Sequence, residues 1–164
     1  MLLYSIDRAE NRPVTPPLRG DGMTTEEKMT ISELEETFIE DLNMLGDWFL
    51  QYEYLLEIST ELPKIPEEKR TAENKVPGCQ SGVWLDLNYA SGKIFVTADS
   101  DALIIRGILS VIVSLLSNRS PEEIVAYVPR FIEETNIKQQ ISTDRFNGIH
   151  SVIRSIQDIA GSYI

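Results

Sequence analysis

The chain holds one cysteine, Cys79, and one histidine, His150. That inventory bounds the chemistry. A structural zinc site needs about four thiolate or imidazole ligands and an iron–sulfur cluster several cysteines, so these two side chains build neither. An intramolecular disulfide is excluded as well. Whatever Cys79 does, it does alone or with another protein. Its setting is Asn74-Lys75-Val76-Pro77-Gly78-Cys79-Gln80-Ser81-Gly82-Val83-Trp84. Pro77 and Gly78 dictate a turn just before the thiol, and Gly82 relaxes the chain just after it; the middle of a strand does not tolerate such residues. A buried structural cysteine sits more often inside an apolar run, where it packs as a small hydrophobe. Here the neighbours are Gly, Gln and Ser. The segment reads as a loop tip that presents a functional thiol, with an incidental loop cysteine as the plain alternative.

An unperturbed thiol, with a pKa of about 8.5, is a few per cent thiolate at neutral pH. Backbone amides of a Gly-rich turn stabilise the anion further. Attack on a disulfide-like sulfur expels a thiolate and needs neither an oxyanion hole nor a proton relay. Attack on an amide needs both. No histidine lies near Cys79 in the sequence, and His150 reads as a helix-face residue rather than a catalyst. Sulfur exchange is therefore favoured. A cysteine-nucleophile hydrolase and a non-catalytic interaction module with an incidental thiol are the competing readings.

The elements that must hold this loop are legible from periodicity. Residues 1–28 are broken by Pro13, Pro16, Pro17, Gly20 and Gly22 and are read as a disordered extension, with Met23 opening a sequence that would serve as a complete start. Residues 29–164 make one domain. Ile31, Leu34, Phe38, Leu42 and Leu45 share a helical face, and Thr30 with Glu33 is a capping-box signature. After a turn at Gly46-Asp47, a second helix runs to about Thr60 and carries Trp48, Phe49, Tyr52, Leu55 and Leu56; Leu62-Pro63 ends it. Trp84 to Tyr89 and Ile94 to Thr97, separated by Ala90-Ser91-Gly92, read as a hairpin. A short strand at Lys75-Val76 would add a third. Asp99-Ser100-Asp101 reads as the cap of an apolar helix from Ala102 to about Leu116. Ser120-Pro121-Glu122-Glu123 opens a short helix, and Phe131-Ile132 suggests another. The last runs from about Ser142 to Ala160 with Phe146, Ile149, Val152, Ile153, Ile156 and Ile159 facing inward. The class is α+β, with a small three-stranded antiparallel sheet packed against helices.

At 164 residues, 42% hydrophobic and 25% charged, the chain has the composition of a single soluble globular domain. No apolar run approaches the roughly 20 residues of a membrane span, and Ser110 and Ser114 interrupt the longest, Ile108 to Leu116. Met1-Leu2-Leu3-Tyr4 lacks the basic leader of a secretion signal, so a cytoplasmic location is expected. The net charge is −11, and between Glu26 and Glu73 fourteen acids face four bases. Such a field repels phosphates, which argues against nucleic-acid binding, and steers the chain toward a basic patch on a partner. A solvated acidic face that only maintains solubility is the bland alternative.

Gly78-Cys79-Gln80-Ser81, followed by Val83-Trp84, resembles the cysteine motif of the SufE family of sulfur acceptors, which includes the CsdE proteins. Trp48 with Tyr54-Leu55-Leu56-Glu57, Leu62-Pro63, Ala98-Asp99-Ser100-Asp101-Ala102, Arg106-Gly107, and Arg145 with Asn147-Gly148 fit the same family in order over about residues 30 to 160. The resemblance implies a fold shared with IscU-type scaffolds. It also implies a role beside a pyridoxal-phosphate cysteine desulfurase of the SufS or CsdA kind. Cys79 would accept persulfide sulfur, stimulate that enzyme and deliver the sulfur to a scaffold for iron–sulfur cluster assembly. The pyridoxal phosphate belongs to the partner, so neither cofactor nor metal is expected on this chain, which acts as a sulfur-transfer partner rather than a stand-alone enzyme. Gly78, Gln80, Ser81, Asp99, Asp101, Arg106 and Arg145 are candidates for supporting the loop or binding the partner. On the residues alone, Asp99 and Asp101 read first as helix caps, Arg106 as a partner of Asp101 in a plain surface ion pair or as an interface residue, and Trp84 as a core strand residue. Gly82 stands where the family pattern commonly has a larger polar residue, which suggests a more mobile loop. Thr143-Asp144 replaces a common Pro-Ser, and residues 1–22 are no family feature. A resting thiol tucked against apolar neighbours would be protected but unreactive, since burial raises its pKa, and docking would draw it out.

Overall fold

The computed structural model describes residues 5–7, 12–14, 29–79 and 81–164. Two short strands, β1 (Ser5–Asp7) and β2 (Arg12–Val14), pair antiparallel with Ser5 opposite Val14. They are the described part of the segment read as a disordered extension; its other residues lie outside the described residues.

Helix α1 (Ile31–Leu45) begins with the capping box that its sequence announces. The Thr30 side chain accepts from the Glu33 N–H, and the Glu33 carboxylate accepts from the Thr30 N–H. Its apolar stripe, including Leu34, Phe38 and Leu42, is buried. Gly46 at φ +85° reverses the chain, and Asp47 caps α2 (Trp48–Ser59) by accepting from the Leu50 N–H. Helix α2 buries Tyr54, Leu55 and Ile58 while Phe49 stays exposed. A 3-10 turn (Glu67–Lys69) leads toward the hairpin of β3 (Val83–Ala90) and β4 (Lys93–Ser100). The two strands pair without interruption from Val83 opposite Ser100 to Ala90 opposite Lys93. Ser91 and Gly92 both take positive φ, the two-residue turn whose twist matches that of the strands.

Helix α3 (Leu103–Leu116) buries eleven of its fourteen residues and is the centre of the core, packed on β4 and α2. Gly107 makes the α2 crossing possible: a Cβ there would lie 2.3 Å from the Leu55 carbonyl oxygen. Then follow α4 (Pro121–Ala126), with its own Ser120–Glu123 capping box, α5 (Ile137–Gln140) and the long α6 (Thr143–Gly161), which packs on α4. The protein is α+β.

Four expectations are corrected. The third strand is a single antiparallel bridge, Lys75 opposite Trp84, held by Val76 N–H to Val83 O and Leu85 N–H to Asn74 O, both 2.8 Å. It stops there because a turn over 71–74 precedes it, while Pro77 has no N–H to give and Gly78 at φ +82° leads the chain away. Asp99 and Ser100 do not cap α3. They finish β4, and Ala102, which lacks a capping side chain, takes the cap position. Around Phe131-Ile132 the chain makes a turn rather than a helix. The buried Glu35 carboxylate accepts from the Tyr127 hydroxyl and from the N–H groups of Arg130 and Phe131, so those donors are satisfied without a helix. Ile159 is 40% exposed on α6, because the buried stripe runs through Val152, Ile153, Ile156 and Ala160 and Ile159 falls to the side of it.

Candidate functional site

Cys79 sits between the Lys75 bridge and the start of β3. The turn at Pro77-Gly78 aims the chain at α6, where the Gly78 Cα faces Ser151. The thiol is not held out in solvent. It is half-buried in a narrow cleft lined by Val83, Ile105, Leu109, Ile149 and Val152, with Ser81, Asp144 and Arg145 at the polar side. Sγ donates to the Gly148 carbonyl oxygen at 3.5 Å. Gly148 permits this seat, since a Cβ there would come within 3.3 Å of Sγ. The loop-tip expectation is therefore right about the turn and incomplete about the side chain, which folds inward.

Electrostatics follow from that seat. Burial pushes the Cys79 thiol up from its ordinary range, and the positive charge of Lys75 pulls it partway back. A seated thiol is protonated at neutral pH and is a poor nucleophile until it moves.

The other candidate residues separate into two groups. Ser81 and Arg145 line the cleft that holds the thiol, together with Gly148, while Gly78 forms the turn before it at φ +82°. Gln80 lies outside the described residues. Asp99, Asp101 and Arg106 belong to a network on the far side of the loop. Asp99 is fully buried and receives the Arg106 guanidinium, Arg70 Nη2 at 2.6 Å, and the Ile65 and Ser100 N–H groups at 2.9 and 2.8 Å. Burial alone would raise its pKa; those amides and guanidinium groups outweigh it and hold the carboxyl below the ordinary range. Arg106 is thus a buried tie rather than a surface ion pair, and its Nη2 also donates to the carbonyls of Ser59, at 3.0 Å, and Leu62. Asp101 is exposed and pairs with Arg70 rather than Arg106.

Two participants were not singled out in the sequence. Lys75 acts on the thiol through its charge. Arg70 joins Asp99, Asp101 and, at 4.6 Å from the ring centroid, the face of Trp84. Partners 14 to 31 residues distant leave no local signature. His150 packs its ring on Phe146, centroids 4.6 Å apart, in keeping with a helix-face role.

An α+β domain that seats its lone thiol where a proline-glycine turn meets the groove of a long helix defines a thiol-bearing class of protein. Comparisons with known proteins specify it. The family described as "SufE: Fe-S metabolism associated domain" matches residues 36–160. An uncharacterized SufE-like protein of Rhizobium etli is 34% identical over 140 residues, covering 82% of this chain and 93% of that protein. An uncharacterized SufE-like protein of Rhizobium meliloti is 34% identical over 131 residues, covering 76% and 93%. The solution structure of a hypothetical protein from Thermus thermophilus matches with a TM-score of 0.62 and 17% identity, covering 75% of this chain and 92% of that one, a likeness of fold. The chain belongs to the SufE family, whose membership implies a sulfur-transfer role in iron–sulfur metabolism.

Proposed function

We propose that Cys79 accepts a sulfur atom as a persulfide from a pyridoxal-phosphate cysteine desulfurase of the SufS or CsdA kind, stimulates its turnover, and passes the sulfur to a scaffold that assembles iron–sulfur clusters. The observation that carries this reading is the seat of the only thiol: a turn-bounded loop whose cysteine rests in an apolar cleft of a SufE-family chain. The step balances. The Cys79 thiol gives up its proton, and the thiolate attacks the terminal sulfur of the donor's persulfide. A bond forms between Sγ and that sulfur, the donor's own S–S bond breaks, and the donor leaves as a thiolate. No electrons are gained or lost overall, so no oxidant is required.

The geometry suits this exchange better than hydrolysis. The thiol's hydrogen bond goes to a backbone carbonyl, and the surrounding side chains are largely apolar. Amide attack needs a base and an oxyanion hole in addition. The raised thiol pKa fits a resting state that protects Cys79 until the desulfurase draws the loop out. The acidic stretch from Glu26 to Glu73 suits a basic docking surface on that enzyme, and a cytoplasmic setting belongs to the same proposal. No helix among the described residues is long and apolar enough to cross a membrane.

The test is desulfurase turnover with the chain added. Stimulation is expected with wild type and is expected to vanish with Cys79→Ser. Alkylation of Cys79 should be slow in the free protein and faster with the desulfurase present. Equal stimulation by Cys79→Ser, or equal alkylation rates in the two conditions, contradicts the reading.

A further inference from the structure

The departure at Gly82 has a tight structural reason. A Cβ there would fall 2.4 Å from Cη2 of Trp84 and 2.7 Å from Oδ2 of Asp101. The backbone of Gly82 is therefore gripped between an indole ring and a carboxylate, and its carbonyl also accepts from the Asp101 N–H at 3.2 Å. One side chain holds both jaws. The Arg70 guanidinium lies 4.6 Å over the Trp84 ring, and its Nη1 reaches Asp101 Oδ1 at 3.2 Å. Arg70 is itself anchored from behind: Nη2 donates to the buried Asp99 at 2.6 Å and Nε to the Ile65 carbonyl at 3.4 Å. Asp99 is fixed in turn by Arg106 inside the core. A continuous chain of contacts thus runs from α3 through Asp99 and Arg70 to Gly82, three residues from Cys79.

We infer that Arg70 is a positioning residue for Cys79: by stacking on Trp84 and holding Asp101 it closes a clamp on the bare backbone of Gly82, and the clamp keeps the thiol seated against Gly148. The expectation of a looser loop at Gly82 is reversed. Glycine lets the clamp shut, and a side chain at position 82 wedges it open. Arg suits the task because its planar guanidinium presents a face to the indole and an edge to two carboxylates at once, which a lysine ammonium cannot.

The inference deepens the sulfur-acceptor reading and takes its relevance from it, but its test reads the loop itself. Iodoacetamide alkylation of Cys79 is followed by mass against pH in wild type, Gly82→Ala and Arg70→Gln, each below its melting temperature. Both variants should alkylate about tenfold faster at neutral pH, as a half-buried thiol returns to water. The midpoint of the pH profile should move down toward that of an ordinary thiol. A variant that is merely less stable keeps the wild-type midpoint while folded. Gly82→Ala removes none of the groups that Arg70 binds and keeps its tie to the buried Asp99, so it decides the matter should Arg70→Gln not fold. Wild-type rate and midpoint in folded Gly82→Ala overturn the clamp. Faster alkylation in both variants of a protein whose Cys79 takes up no sulfur supports the clamp and sinks the function instead.

Discussion

Replacing Asp99 by Ala should be among the most damaging single changes in this fold, and its size can be worked from the contacts. Asp99 is fully buried, as is most of Arg106, so the substitution strands a guanidinium in the core. Removing one partner of a buried ion pair costs about 3–5 kcal/mol. Two features set the figure within that range. Arg106 keeps its bonds to the Ser59 and Leu62 carbonyls, which favours the low end. The Ile65 N–H loses its acceptor, which adds about 1–3 kcal/mol. Arg70 has a partly exposed side chain and contributes little, since water screens it. A loss of about 4 kcal/mol is a large share of the roughly 5–15 kcal/mol by which domains are stable. Urea unfolding followed by the fluorescence of Trp48 and Trp84 measures it. The double variant Asp99→Leu with Arg106→Leu removes both charges and should recover more than half of the loss, because an apolar pair carries no uncompensated charge. A single-variant cost below about 1 kcal/mol, or a double variant no more stable than Asp99→Ala, refutes the reasoning.

Stability should also fall in acid. The folded pKa of Asp99 is depressed, so its contribution is complete above the unfolded value of about 3.9 and drains away as the pH drops through the folded one. Urea midpoints from pH 7 to pH 3 should fall, and Asp99→Asn should flatten that slope. Gly148→Ala should leave the fold intact, since alanine is the better helix former by about 1 kcal/mol, yet crowd Sγ, which would lie a tight 3.3 Å from the new Cβ, and loosen its seat. Faster Cys79 alkylation at an unchanged melting temperature is the expected pair of results. Ser120→Ala removes one half of the α4 capping box and should cost about 1 kcal/mol in the same urea assay. Association with the desulfurase should slow as salt is raised, as expected for an acidic face meeting a basic one; a rate indifferent to salt argues that the acidic stretch only solvates.

What could be read beforehand followed local rules. Thr30 with Glu33 and Ser120 with Glu123 predict helix starts, Ala90-Ser91-Gly92 predicts a hairpin, and the apolar run from Ala102 predicts the central helix, which begins at Leu103, because each signal lies within a few residues of its effect. The cysteine turn was legible for the same reason. The direction of the thiol was not, because Gly148, which receives it, is 69 residues away. Asp99 matches a helix cap by local pattern, since acids before a helix usually act there. Its real partners, Arg106 on α3 and Arg70 before the hairpin, emerge only when β4 packs on α3. The third strand failed through competition: Lys75-Val76 has strand-forming character, but the turns on either side leave room for one bridge. Gly82 looked like slack, and only the positions of Trp84 and Asp101 reveal it as a point of close approach.

The central claim is tested most directly by weighing the intact protein after incubation with a cysteine desulfurase and free cysteine, then mapping the gain by peptide mass. The account predicts one added sulfur atom on the peptide that carries Cys79, removed by a thiol reductant and absent from Cys79→Ser. An unchanged mass with an active desulfurase, or added sulfur that persists in Cys79→Ser, contradicts it.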